Sequence, residues 1–189
     1  MRGRTATLVL AAVLVGVFLY ELSVGAAGSE DALVPLGALR TRGWSAADWW
    51  RVLTFSFLHV NGLHLALNTA GLLWLGGVVE RRLGAARFGA IFAGGAVASG
   101  IAGMLLGPLL PTTGVAIGAS GAVCGLLAAA LLLAFRGTPG RMSDADRRLR
   151  RALVICLVAV VAISLAPGVS LAGHLGGLAG GALMAAILA

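Results

Sequence analysis

Ser120, His174 and the pair His64 and Asn68 are the residues whose types could do chemistry in an otherwise apolar chain. A serine hydroxyl becomes a nucleophile when a neighbouring base takes its proton, and an imidazole is such a base. Hydrogen-bond donors aimed at a carbonyl oxygen then hold the negative charge that attack creates there. Acyl transfer is therefore the first hypothesis, provided the fold brings these groups together. Ser120 lies in Gly118-Ala119-Ser120-Gly121 and His174 in Gly173-His174-Leu175-Gly176-Gly177, each at the entrance of a hydrophobic run. His64 and Asn68 are spaced i, i+4 and so share one face near the start of a third run. Structural readings stand beside these. Gly-Ala-Ser-Gly-Ala is common where membrane helices pack, and a His-Asn pair can serve as an interhelical clamp. An imidazole within an apolar span is by default a functional candidate.

The elements that must position these groups follow from composition. With 59% hydrophobic and 11% charged residues, the chain lies far outside the range of a soluble domain and reads as a multi-pass membrane protein. Runs long enough to span a bilayer fall at about 5–22, 58–79, 86–106, 117–135, 152–166 and 172–188, giving an all-α membrane fold of six transmembrane helices. The last two runs are parted only by Pro167-Gly168-Val169-Ser170, which predicts a tight helical hairpin. One membrane domain over 1–189 with no soluble domain is expected. Residues 1–28 also resemble a signal peptide, with arginines before an apolar run, but the run is long enough to span and is kept as the first helix.

All the basic residues are arginine, and they cluster between the apolar runs. That pattern reads as membrane topology and not as a nucleic-acid surface. With the amino terminus in the cytoplasm, Arg2, Arg4, Arg81, Arg82, Arg87, Arg136, Arg141, Arg147, Arg148, Arg150 and Arg151 lie inside, and only Arg40, Arg42 and Arg51 lie outside. The second, fourth and sixth spans then all start on the outer side, which places His64, Ser120 and His174 at similar depth near the same face.

The connections differ in kind. The outer connection 23–57 carries Val34, Leu36, Leu39, Trp44, Trp49, Trp50 and Leu53 and is expected to rest in the bilayer interface, partly helical. The second outer connection, 107–117, is uncharged, with Pro108, Pro111 and Gly114, and reads as irregular backbone at the membrane surface. The loop 136–151 reads as solvated, its charges doing no more than anchoring topology. Gly177 and Gly181 on the sixth span, facing Gly121, Gly125 and Ala128 on the fourth, form small surfaces that let the two helices approach until His174 reaches Ser120. Cys124 and Cys156 read as packed free thiols. His59, near the outer interface, is expected to make hydrogen bonds within the loop and not to act in the chemistry.

From Trp50-Arg51 onward the chain resembles a rhomboid-family intramembrane serine protease. The resemblance runs through Phe57-Leu58-His59-Val60-Asn61-Gly62-Leu63-His64-Leu65-Ala66-Leu67-Asn68, Glu80-Arg81-Arg82-Leu83-Gly84, Gly118-Ala119-Ser120-Gly121, and Gly173-His174 with Gly177 and Gly181. It implies a Ser120 nucleophile, a His174 general base, and an oxyanion site built from His64, Asn68 and the Ser120 backbone N–H. It also implies structural roles for Arg51 and for Glu80. Many bacterial relatives carry a tyrosine four residues after the serine, stacked on the histidine; here that position is Cys124, which offers no aromatic face. No carboxylate is placed to orient His174 as in a triad, so a Ser-His dyad is expected.

The implied substrates are transmembrane helices of other membrane proteins, unwound locally and entering from the bilayer past the fifth helix and the loop 166–171. Water would reach the site through a polar cavity open to the outside. No cofactor or metal is implied, since three histidines without nearby cysteine or carboxylate ligands do not make a usual catalytic metal site. Two other classes fit six spans with intramembrane polar groups. A rhomboid-like pseudoprotease that retains membrane clients would have lost the dyad, yet Ser120 and His174 are both present. A small transporter would need a carboxylate within a span to couple ions, and none is expected there.

Overall fold

The computed structural model describes residues 3–109, 114–136 and 143–189. Arg2, Pro111 and Arg141, singled out above, lie outside them. Helix α1 (Thr5–Ser23) leads into a structured connection of α2 (Glu30–Leu33), strand β1 (Leu39–Arg40) and α3 (Arg51–Thr54). A continuous rod follows, made of α4 (Gly62–Gly71), a π-turn (Leu72–Gly76) and α5 (Gly77–Leu83). Then come α6 (Ala85–Leu106), strand β2 (Val115–Ala116), α7 (Ser120–Phe135), α8 (Asp144–Ile163) and α9 (Leu171–Leu188). Helices thus stand at all six predicted positions. Thr5–Ser23, Gly62–Leu83, Ala85–Leu109 and Leu171–Leu188 are long and apolar enough to cross a membrane, whereas α7 has only 16 residues and α8 opens on two charged turns.

Local capping chemistry sets several starts away from their predicted places. The second span was expected from 58, but the Asn61 side chain accepts the His64 N–H at 2.9 Å and begins the helix at Gly62. His59 therefore precedes the helix. Ser143 and Asp146 form a capping box that starts α8 at Asp144, so part of the loop expected to be solvated is helical. Its charges also do more than anchor topology, because Arg150 donates to the Ala134 carbonyl at 2.7 Å and lies over the Phe135 ring, closing the end of α7. Gly84, at φ +90°, makes the left-handed turn between α5 and α6.

Helix α7 is the axis of the bundle. Ala122, Leu126, Leu127, Ala129 and Ala130 on it are fully buried, packed with Leu14 of α1, Leu72 and Leu75 of the π-turn, Phe88 and Ile91 of α6, and Ala185 of α9. Outer helices turn apolar side chains outward instead: Leu8, Val9 and Leu19 of α1, and Ile155 and Val158 of α8, are all exposed, as lipid-facing residues would be. Glycines set the closest contacts. A Cβ on Gly177 or Gly181 of α9 would run into the Gly121 and Gly125 backbone of α7, as expected. Gly176 and Gly180, on the neighbouring face, meet Ala98 and Gly94 of α6, a second contact beyond the expected one.

The connection between α1 and α4 divides its apolar residues between two surroundings. Leu33, Val34, Ala38 and Leu39 are buried with Ala26 and Leu58 in a small core of their own, while Trp44, Trp49 and Leu53 are exposed. Val34 and Leu39 therefore face protein, not the bilayer interface. Strand β1 pairs antiparallel with β2, Leu39 opposite Ala116 and Arg40 opposite Val115, which fastens this connection to the chain just before Gly118. Arg51 holds it from within: its guanidinium donates to the carbonyls of Val34 and, at 3.0 Å, Ala38, pairs with Asp48 at 2.8 Å, and stacks over Trp50. The Ser45 N–H and the Arg51 charge keep the Asp48 carboxyl below the usual carboxylate range.

Glu80 caps a helix to which it does not belong. Arg4, at the start of α1, has no side-chain acceptor to offer, and the Glu80 carboxylate accepts the Ala6 N–H at 2.9 Å, the Thr7 N–H at 2.8 Å and the Thr7 hydroxyl at 2.6 Å. Glu80→Ala leaves these donors without a partner in a buried site. A loss of about 2 kcal/mol, or roughly 4–8 °C in Tm, is expected in thermal unfolding of the detergent-solubilised chain, with a smaller loss for Glu80→Gln, which keeps an acceptor oxygen.

Candidate active site

Three helices begin at one place. α4 carries His64 and Asn68 in its first two turns, α7 opens with Ser120, and α9 carries His174 in its first turn. Parallel packing of α7 and α9 through Gly121, Gly125, Gly177 and Gly181 aligns their starts. Each helix start presents backbone N–H groups without intrahelical acceptors and the positive end of a dipole, so the junction favours negative charge.

Ser120 Oγ lies 2.9 Å from His174 Nε2, hydrogen-bond distance across 54 residues of sequence. Ser120 is partly accessible and His174 is buried. The hydroxyl of Ser170 caps α9 by accepting the Gly173 N–H at 3.0 Å, and the His174 N–H donates to the Ser170 carbonyl at 3.0 Å, so the backbone beneath the imidazole is held at two points. On its other side the ring meets Ser164, at the end of α8, whose Oγ is 2.6 Å from His174 Nδ1 and 2.6 Å from the Val160 carbonyl. Ser164 carries no signal in the sequence: a carboxylate is the recognisable partner of a catalytic histidine, whereas the partner of His174 is a neutral hydroxyl just before the Pro167-Gly168 turn.

His64 and Asn68 stand on the opposite flank. Gly118, at φ +114°, brings the chain so close that a Cβ there would lie 2.5 Å from His64 Cε1 and Nε2 and 3.7 Å from Asn68 Nδ2. The Gly118 N–H is fixed by the Phe55 carbonyl at 2.9 Å. Both side chains thus line the turn that leads into Ser120. Asn68 Nδ2 spends one N–H on the His64 carbonyl at 3.0 Å, which fixes the orientation of the amide and leaves its second N–H for another acceptor.

The remaining predicted residues sort by position. Arg51 and Glu80 lie away from the junction, in the contacts described above. Cys124 is a buried free thiol on α7, and Cys156 is likewise free. His59 departs from expectation. Its ring is fully buried edge-on against His64, with centroids 5.1 Å apart, and neither ring nitrogen has a hydrogen-bond partner among the described residues. The hydrogen bonding at this position is made by its backbone N–H, which donates to both carboxylate oxygens of Glu21 at 3.2 and 3.3 Å. Against the expectation that no span holds a carboxylate, Glu21 lies in the last turns of α1, fully buried.

Comparison with known proteins bears on the family of the chain. The family model described as the Rhomboid domain matches residues 46–189. The Rhomboid protease GluP of Bacillus subtilis (strain 168) is 40% identical over 75 residues, which make up 40% of this chain and 15% of that protein, so the chain matches only a small part of its length. The matched range covers about three quarters of the chain, from just before α3 to the end of α9. The chain, a multi-pass membrane protein, belongs to the rhomboid family.

Proposed function

We propose that the chain is an intramembrane serine endopeptidase that cleaves transmembrane segments of other membrane proteins with Ser120 and His174. The observation that carries this reading is the 2.9 Å contact of Ser120 Oγ with His174 Nε2 at a junction of helix starts. His174 takes the hydroxyl proton as Ser120 attacks a peptide carbonyl. The oxyanion faces the Ser120 backbone N–H, His64 and the second N–H of Asn68. The protonated His174 then returns its proton to the leaving amine, and water, deprotonated in the same way, releases the acyl group.

In this reading all six long helices span the bilayer, with the amino terminus in the cytoplasm and the site toward the extracytoplasmic side. α7, at 16 residues, measures about 24 Å against a hydrocarbon core of about 30 Å, which supports a Ser120 recessed below the membrane surface. A substrate helix hides its peptide bonds in its own hydrogen bonds and must unwind before attack. Lateral entry past α8 fits that helix's loose attachment, with Leu153 its one buried residue. The pseudoprotease alternative is disfavoured by the intact Ser120–His174 contact. The transporter alternative gains no support from Glu21, whose carboxylate is engaged by the His59 backbone.

Cleavage of a transmembrane substrate by the purified chain in liposomes tests the proposal. Asn68→Ala is expected to lower turnover by about 10²–10³, or less where His64 and the backbone N–H compensate. Thermal unfolding of the same variant separates this from a clamp role. Wild-type turnover in a stably folded Asn68→Ala protein would exclude Asn68 from the oxyanion site.

A further inference from the structure

We propose that Ser164 is the positioning residue for the His174 base: its hydroxyl holds the imidazole in the Nδ1–H tautomer, which leaves Nε2 as the proton acceptor for Ser120. This rests on the reading of Ser120 and His174 as nucleophile and base, and it supplies what that pair otherwise lacks, since Cys124 offers the ring no aromatic face and no carboxylate among the described residues is hydrogen-bonded to it.

Proton counting assigns the tautomer. Ser164 Oγ is 2.6 Å from the Val160 carbonyl and 2.6 Å from His174 Nδ1. A carbonyl oxygen can only accept, so the single hydroxyl proton of Ser164 lies toward Val160. The serine then turns a lone pair toward Nδ1, and two facing lone pairs at that distance would repel, so Nδ1 carries the proton. A neutral imidazole has one N–H, which leaves Nε2 bare, 2.9 Å from the Ser120 hydroxyl that donates to it. The donors form one directed chain, from Ser120 to His174 to Ser164 to the Val160 carbonyl. Burial protects it: Ser164 is 3% exposed and His174 8%.

The same chain supports charge as it forms. When Ser120 gives its proton to Nε2, the Nδ1–H bond to Ser164 becomes charge-assisted and strengthens, and the hydroxyl is already polarised by its own donation to Val160. Ser164 is the C-cap of α8, whose final carbonyls form the negative end of a helix dipole beside the developing imidazolium. The positive start of α7 faces the oxyanion. Opposite helix ends thus sit at the two charges that attack creates, and both charges vanish when the Nε2 proton passes to the leaving amine and the C–N bond breaks.

The test combines ring ¹⁵N spectroscopy with kinetics on the full chain. In ¹⁵N-histidine-labelled protein, with the His174 signals identified by their loss in His174→Ala, His174 is expected to show a protonated Nδ1 and a bare Nε2. Ser164→Ala should shift it toward the Nε2–H form that a free imidazole prefers. Cleavage by Ser164→Ala is expected to fall in kcat by roughly tenfold to a hundredfold, above the loss of one neutral hydrogen bond and below the roughly 10⁴ seen when a buried carboxylate orienter is lost. KM should be unchanged. Ser164→Thr, which keeps a hydroxyl able to bond the carbonyl four residues back, should recover most of the rate. An Nε2–H tautomer in the wild type, or wild-type kcat in a folded Ser164→Ala protein, overturns the proposal. The wild-type spectrum decides the tautomer even where the alanine variant fails to fold. A wild-type chain that neither cleaves nor reacts with a serine-directed fluorophosphonate, yet shows the Nδ1–H form lost in Ser164→Ala, would sink the protease reading while sustaining the tautomer assignment.

Discussion

Ser120→Ala is expected to abolish both cleavage and fluorophosphonate labelling, with a fall in turnover of about 10⁶ by analogy with the loss of the nucleophile from a soluble serine protease. Among the described residues this hydroxyl is the only one hydrogen-bonded to His174 Nε2, whose single acceptor position is directed at Ser120 Oγ at 2.9 Å. Ser164, the other serine touching the imidazole, is held by the opposite nitrogen and donates to a carbonyl, so it has no base. His174→Ala should be as severe, and the double variant no worse than either single one, because nucleophile and base act as a unit. The measurement is labelling in detergent or liposomes with the modified peptide located by mass spectrometry. Label that persists in Ser120→Ala would remove the nucleophile assignment.

Gly177→Val is expected to be the most damaging substitution away from the chemistry. Its Cβ would be driven into the Gly121 carbonyl of α7, and a backbone atom cannot swing aside as a side chain would. Overpacking of this kind costs about 3 kcal/mol, the upper end of the usual range. The strain falls on the contact that aligns the starts of α7 and α9, so the Ser120–His174 distance should open, and a displacement of about 1 Å is enough to lose roughly 10² in rate. Thermal unfolding and fluorophosphonate labelling should therefore fall together. Gly16→Ala in α1, where nothing lies within 4 Å of the new Cβ, is the control and should leave both unchanged. Unaltered stability in Gly177→Val would mean that the two helices are not packed this closely in the bilayer.

Much of the site was legible because its signals are local or cumulative. Apolar runs of membrane length need no tertiary information, and Ser120, His174 and the His64–Asn68 pair stand out as polar groups where apolar ones are expected. With arginines marking one side, alternation of the spans was enough to expect their convergence, and the three helix starts do meet. The approach of α7 and α9 was likewise readable from glycines at i, i+4. Helix starts were less so, because an asparagine or serine caps only if its side chain turns back onto the chain, as Asn61 and Ser143 do.

Taken by itself, the sequence determined the membrane class, the positions of the helices and the identity of the polar groups at the site, since each depends on composition or on spacing within one segment. Tertiary structure alone decided which neighbour each group has. Gly176, Gly177, Gly180 and Gly181 look alike in sequence, yet two face α6 and two face α7. Glu80 could have been a surface charge; only the approach of α1 makes it the cap for Ala6 and Thr7. Ser164 is an ordinary serine before a turn until α8 and α9 pack and set its hydroxyl on His174. Hydrogen bonds act over about 3 Å, so a partner 10 or 73 residues away along the chain is chosen by how helices pack, which no local pattern records.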